Sequence, residues 1–114
     1  MDGRIKEEIT SQALASGPLD VSYIFNEQVN IVAIYIKAST TIIETVTITR
    51  ISRNGTNYNV PLEIRTLNGN SSLIYAPTWR CILKIGDSVR IQCTNANLTG
   101  TLYVTSHFEG GINE

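Results

Sequence analysis

The feature that most constrains this chain is the alternation of apolar and polar residues at every second position. Residues 40–50 read TTIIETVTITR, in which Val46 and Ile48 take one phase and threonines take the other. Side chains of a β-strand point alternately to opposite faces, so the pattern predicts a strand with one buried face. Threonine suits the other face because it is branched at Cβ, and its hydroxyl keeps the surface soluble without charge.

The same alternation recurs along the chain between evenly spaced turn signals. Leu19, Val21, Tyr23 and Phe25 alternate with polar or exposed positions. The turn signals themselves are RNGTN at 53–57, LNGNSS at 67–72, KIGD at 84–87 and TNANLTG at 94–100. This spacing predicts about eight strands in an all-β fold, an antiparallel β-sandwich of jelly-roll or immunoglobulin-like type with a short N-terminal arm.

Two further patterns refine the sheets. Residues 29–37, VNIVAIYIK, are apolar in both phases, which indicates either a central strand covered on both sides or part of an assembly contact. Pro61 and Pro77 predict a sheet edge or a strand break, because proline has no N–H for a central ladder.

Residues 1–17 differ from the rest, since they carry five charged residues in a short span. Ile5, Ile9 and Ala13 recur at a spacing of four, with Leu14 beside them, which is compatible with a short amphipathic helix. A solvated tail is the alternative, because so short a helix is marginal without a surface to pack on.

The length suits one domain with one core. Gly17 and Pro18 end the first segment. We therefore expect an N-terminal arm or short helix over residues 1–17, a β-sandwich over 18–109 and a flexible C-terminus over 110–114.

Charge and hydropathy argue against several partner classes. Nine basic residues are balanced by ten acidic ones, and the basic residues are scattered along the sequence, so we expect no nucleic-acid partner. No apolar run is long enough to span a bilayer, and the N-terminus lacks the apolar core of a secretory signal. We expect no membrane association.

Cys81 and Cys93 are too few for a disulfide scaffold. If the segment between them is a hairpin, they lie out of register, and a cross-strand bond would be strained. We expect two free, buried thiols.

The sequence offers little for catalysis or metal binding, and we predict no catalytic, cofactor or metal site. His107 is the only histidine and lies on the outward phase of the last strand. Asp87 follows a glycine in a turn, where its side chain is expected to bond its own backbone. One histidine and two separated cysteines match no zinc spacing, and no phosphate-binding glycine motif occurs.

The aromatic residues are divided between core and surface. Tyr23, Tyr58, Tyr75 and Trp79 share a phase with apolar neighbours, so we expect them in the core. Tyr35 and Tyr103 fit an outer face, where they are candidates for a sugar-stacking platform.

The stretch LDVSYIFNEQVNIVAIYIKAS, followed by TIIETVTITR, RNGTNYNVPL and LKIGDSVRIQCTNANLTGTLYVT, resembles small β-sandwich virion proteins of tailed bacteriophages. This group includes head-decoration (cement), head-fibre and head-tail or tail accessory proteins, and the likeness covers roughly residues 18–107. The resemblance implies a virion protein that is made in the host cytoplasm, folds without disulfides and works in a symmetric assembly. It does not say which part of the virion.

The sequence thus predicts a non-enzymatic structural subunit that binds other virion proteins, capsid or tail subunits, and forms a homo-oligomer. We expect its contacts at Ile5, Ile9 and Leu14 in the arm and at Tyr35. The alternative is a solitary recognition module that binds glycan or a host surface through the turns at 53–57, 67–72 and 94–100. An enzyme using His107 ranks third.

Overall fold

The computed structural model describes residues 4–68, 72–94 and 99–111. Within them the chain is all-β, with two antiparallel sheets packed as a sandwich. Nine strands lie in this part of the chain: β1 Arg4–Ala13, β2 Asp20–Ile24, β3 Val29–Ala38, β4 Ile43–Ile51, β5 Val60–Asn68, β6 Ser72–Tyr75, β7 Ile82–Leu83, β8 Ser88–Cys93 and β9 Thr101–Gly110. Sheet A has the order β1-β9-β3-β6, with β7 also paired to β3, and sheet B has the order β2-β8-β4-β5. The predicted sandwich is confirmed.

The core lies between the sheets and uses the phases that the alternation predicted. Val46 and Ile48 of β4 are fully buried, while the threonines that alternate with them, Thr45, Thr47 and Thr49, are only half-buried on the outside of sheet B. At one end, the Phe108 ring packs against the rings of Tyr23 and Phe25, with centroid distances of 5.9 and 4.8 Å. Each fully buried side chain of this size stabilises the fold by roughly 1.5–3 kcal/mol.

The N-terminal segment is a strand, and the predicted helix is wrong. β1 pairs with β9 along its whole length, from Arg4 opposite Gly110 to Ala13 opposite Thr101. The reason is that residues spaced by four share a face of a strand as well as a face of a helix. Pairing with β9 supplies the backbone hydrogen bonds that an isolated helix would have to make alone.

The chain leaves sheet A through a short 3-10 turn, Leu14–Ser16, followed by Gly17 at φ 141°. Only glycine adopts such a conformation readily, so the turn ends where the sequence predicted a stop. The arm and the sandwich are one structure, since the first strand completes sheet A.

Of the remaining predictions about strands and turns, some are confirmed and others are wrong. β3 is an interior strand, as its apolar character suggested, and Pro61 lies on the edge strand β5 opposite a register shift in β4. The turn at 84–87 does not close a hairpin, because β7 belongs to sheet A and β8 to sheet B. Gly110 is a buried residue of β9, so the C-terminal strand extends into the segment predicted to be flexible; residues 112–114 lie outside the described ones.

Candidate interaction surface

The outer face of sheet A carries a line of exposed apolar side chains. Leu102, Val104 and Phe108 of β9 point into the core, so the alternate residues of that strand point outward. On this outward side the strand register places four residues side by side across β1, β9, β3 and β6, namely Ile9, Thr105, Tyr35 and Ile74. We call this set the outer row.

The apolar side chains of the outer row are exposed to solvent. Ile9 is 71% exposed, Tyr35 40% and Ile74 58%. Tyr103 lies in the next row, between Ser11 and Lys37, and is also exposed. Thr105 separates Ile9 from Tyr35, and the exposed apolar side chains around it form a patch that is a candidate contact site.

The predicted contact residues divide between the surface and the core. Ile5, Ile9 and Tyr35 do lie on the outer face of sheet A. Leu14 does not, because it is 0% exposed and belongs to the hydrophobic core. It follows Ala13 and therefore takes the opposite phase of the strand, which points inward.

Sequence reasoning missed Ile74 as a surface residue. Its signal was present in the alternation, because Leu73 and Tyr75 on either side point to the core and Ile74 must then point out. Nothing in the sequence alone joins Ile74 to Ile9, since that adjacency depends on the strand order of sheet A.

His107 lies on the same face, beside the outer row. Its Nε2 is 2.9 Å from Oε2 of Glu7, and its ring lies 5.5 Å from the ring of Tyr35 in an edge-on arrangement. An acid partner for His107 therefore exists, and it comes from the arm. The pair lies on the outer face of sheet A beside Tyr35, where it can take part in a surface contact.

The two cysteines are free, as predicted, and only partly buried. Burial raises the pKa of the Cys81 thiol and of the Cys93 thiol. Both therefore stay protonated at neutral pH, and the thiolate is the form that attacks or binds metal. Cys93 has a structural contact instead, because its Sγ accepts the backbone N–H of Leu19 at 3.2 Å.

Two aromatic residues lie outside the core, contrary to prediction. Trp79 is 85% exposed and Tyr58 61%. Both follow the end of regular pairing: Tyr58 lies in a 3-10 turn before β5, and Trp79 lies in the loop after β6. Alternation has no meaning outside a strand, so counting phase through these loops placed both rings on the wrong side.

Trp79 borders a pocket of about 410 Å³ at one end of the sandwich. Asn30, Val32, Thr78 and Arg80 contribute to its wall. The combination of an exposed indole with amide, hydroxyl and guanidinium groups is suited to a ring-shaped polar ligand.

A second pocket of about 400 Å³ shares Arg80 and is strongly basic. Arg50, Arg53 and Lys84 also line it, so four of the nine basic residues gather here although they are scattered in the sequence. One carboxylate, that of Asp87, lies among them. One of its oxygens accepts the backbone N–H of Lys84 at 3.1 Å within the turn, as its turn position predicted. The other accepts the backbone N–H of Arg53 at 2.9 Å, a contact that the sequence did not predict.

The described residues that flank the three turns of the alternative recognition site lie at opposite ends of β4. The turn at 53–57 follows the C-terminal end of β4. Asn68 and Cys93, where the chain enters the other two turns, lie near the N-terminal end of β4, since Asn68 pairs with Ile43 and Cys93 pairs with Val46. Residues 69–71 and 95–98 of those two turns lie outside the described residues.

In the described ranges, no group of three or more His, Cys, Asp or Glu side chains is arranged to hold a metal ion. No helix in the same residues is long and apolar enough to cross a membrane. No protein-family model, no curated protein and no solved structure matches the chain.

Proposed function

We propose that this chain is a non-enzymatic structural subunit of a tailed-bacteriophage virion, a capsid-decorating or head or tail accessory protein that binds other virion subunits. The outer row is the observation that carries the proposal. It sets three exposed apolar side chains, those of Ile9, Tyr35 and Ile74, around Thr105 on the outer face of sheet A. Exposed apolar patches rimmed by polar groups are typical of protein–protein interfaces.

The chemistry of the chain supports the same role. Burial raises the pKa of both thiols, so they stay in the unreactive protonated form. His107 and its acid partner Glu7 lie on an open sheet face, where they are placed for contact with another protein. Tyrosine adds to the surface in a way that suits binding, because it buries a large rigid ring at low entropic cost and keeps a polar end for hydrogen bonds.

The decisive experiment quantifies this protein by mass spectrometry in purified phage particles that encode it. We expect a fixed ratio to the major capsid protein. Particles prepared without it should rebind the purified protein to saturation. Absence from the particles, or binding without saturation, would contradict the proposal.

The outer row is tested in the same rebinding assay with a matched pair of variants. Ile74→Lys places a charge in the outer row, and Ile64→Lys places one at a similarly exposed isoleucine of β5 on sheet B. We expect Ile74→Lys to reduce rebinding at least tenfold and Ile64→Lys to leave it unchanged. The reverse pattern would assign the contact to sheet B.

The alternative, a solitary recognition module, is favoured by one specific observation, the exposed Trp79 beside the basic pocket that shares Arg80. An acidic glycan matches both parts, because a sugar ring can stack on the indole while its carboxylate or phosphate meets the guanidinium groups. Trp79→Ala should then abolish retention on an acidic-glycan column, while Tyr58→Ala, which removes an exposed ring outside both pockets, should leave retention unchanged. Equal retention of both variants would remove this candidate.

A further inference from the structure

β1 is one of the two outermost strands of sheet A. The side of β1 that faces away from β9 presents a regular row of backbone N–H and C=O groups. In the described residues β9 is the strand that pairs with β1. The Leu14 N–H donates to the Gly100 carbonyl oxygen at 3.0 Å, and this pair continues the β1–β9 register. Since hydrogen-bonded pairs alternate in an antiparallel ladder, the even-numbered residues of β1 bond to β9. The odd-numbered ones, from Ile5 to Ala13, turn their N–H and C=O groups away from it.

Among the strands that border the two sheets, β1 is the least protected. β2 and β6 are short, with five and four residues. β5 has nine but contains Pro61 and faces a register shift. β1 has ten residues, contains no proline and keeps one register throughout. Proteins usually protect long edge strands, so an edge as regular as β1 is suited to pairing.

An inward-pointing charge is one protective device that β1 does carry. Lys6 and Glu8 occupy its inner phase. The Lys6 ammonium, however, lies 2.7 Å from the carboxylate of Glu27. Its charge is matched within the same chain, which weakens its effect against a second strand.

We propose that a second copy of this chain pairs antiparallel with β1, with Ile9 opposite the second copy's Ile9, so that two A sheets join into one continuous sheet. The inference does not depend on the virion role. It names the partner of this edge and the register of the contact.

The register follows from charge and length. A symmetric pairing centred on Glu7 or on Glu8 would set like charges directly opposite each other, which is destabilising. A pairing centred on Thr10 overlaps only residues 7–13 of each strand, whereas one centred on Ile9 overlaps residues 5–13, because β1 ends at Ala13.

The Ile9 register also matches the side chains. On the outer face Ile5 lies opposite Ala13, and Glu7 lies opposite Ser11. On the inner face the remaining pairs are Lys6 with Gln12 and Glu8 with Thr10. No pair is like-charged, and the outer row of one copy continues into that of the other through the two Ile9 side chains.

The first test is the solution mass of the full chain by light scattering during gel filtration. We expect twice the 12.6 kDa of one chain at high protein concentration, falling towards one chain on dilution. A monomer at the highest attainable concentration would overturn the proposal.

The register is tested by charge at residue 9. Ile9→Lys alone and Ile9→Asp alone should each be monomeric, because each sets like charges opposite each other at the symmetry axis. Mixed in equal amounts they should form a mixed dimer. Ile24→Lys, at an exposed isoleucine of β2, is the control and should leave the dimer intact. A dimer that survives both single changes at residue 9 would overturn the register.

Backbone pairing is tested separately with Ser11→Pro. This change removes an N–H that points away from β9, so it should abolish the dimer and leave the circular dichroism spectrum of the monomer unchanged. A dimer that tolerates it would mean that the contact does not run through this edge. These measurements use the isolated protein, so a protein that dimerises but is absent from phage particles would refute the proposed function and leave this inference standing.

Discussion

β1 and β9 are neighbouring strands of ten residues each, paired along their whole length, yet they are stabilised in different ways. β9 buries every second residue, from Leu102 to Gly110, whereas β1 buries none. The two strands share backbone geometry and differ in what their inner phase carries. A strand can therefore complete a sheet without contributing to the core beneath it.

β1 is held by its ladder with β9 and by an ionic contact at one end. Arg4 binds both carboxylate oxygens of Glu27, at 2.7 and 2.8 Å, and Lys6 reaches the same carboxylate at 2.7 Å. The Gly111 N–H donates to it as well, at 2.9 Å. Partly exposed ion pairs contribute little to global stability, so these contacts position the strand more than they stabilise the fold.

The largest expected difference between the strands is at Lys6 and Phe108, which lie opposite each other in the ladder. Phe108→Ala should lower the free energy of unfolding by roughly 3–5 kcal/mol, because it leaves a cavity among packed rings. Lys6→Ala should cost about 1 kcal/mol or less. Urea denaturation followed by circular dichroism measures both. Similar losses for the two variants would show that β1 contributes to the core after all.

A smaller difference is expected when threonine replaces an apolar residue on each strand. Val104→Thr buries a hydroxyl in the core and should cost about 1–3 kcal/mol. Ile9→Thr places the same side chain on the outer face and should change stability by no more than about 0.5 kcal/mol. Both are measured by thermal denaturation. At a protein concentration low enough for the chain to be monomeric, a large loss at Ile9 would mean that its side chain is already covered within one chain.

The contrast between these strands also marks the limit of what the sequence reveals. The alternation at Val46 and Ile48 predicted the sandwich and its buried phase, because strand periodicity is a local property. The spacing of Ile5, Ile9 and Ala13 fitted two periods equally well, and the tertiary contact with β9 decided between them. Leu14 was misplaced for the same reason.

The surface was partly predictable. Ile9 was predicted as a contact residue from its place in the arm, and Tyr35 from the doubly apolar segment at 29–37. Their placement in one row requires the order of strands in sheet A. Trp79 was misplaced because phase cannot be counted through a loop. The basic pocket was invisible because it assembles residues more than thirty positions apart in the chain, such as Arg50 and Lys84.

A finer difference concerns how tightly β1 is held at its N-terminal end. A Cβ on Gly110 would lie 2.7 Å from Cε of Lys6 and 2.9 Å from Oε2 of Glu27. Gly110→Ala should therefore displace this ion pair while changing global stability by about 1 kcal/mol or less. Hydrogen exchange should become faster at the β1 amides that are hydrogen-bonded to β9, and should not change at the amides of β3. Lys6→Met, which removes the ion pair without crowding, is the matched variant and should give the same pattern.

The smallest expected effect is the response of the same contact to acid. The hydrogen bond from Lys6, with contributions from the Gly111 N–H and Arg4, lowers the pKa of the Glu27 carboxyl below its ordinary 4.5. A group whose pKa is lowered by folding contributes stability that is fully present above its unfolded pKa and is lost as pH falls through the folded value. β1 should therefore loosen only below about pH 4.5.

Local hydrogen-exchange protection separates this effect from acid unfolding in general. Asp20 responds in the same direction, because its hydrogen bond with Arg90 lowers the pKa of its carboxyl, but that pair ties β2 to β8 in sheet B. Glu27→Gln should remove the acid dependence of protection in β1, and Asp20→Asn should leave it in place. If both variants changed the acid dependence of protection in β1 equally, the edge strands β1 and β2 would be coupled through the core. β1 would then not be held independently of the core in the way that its unburied side chains imply.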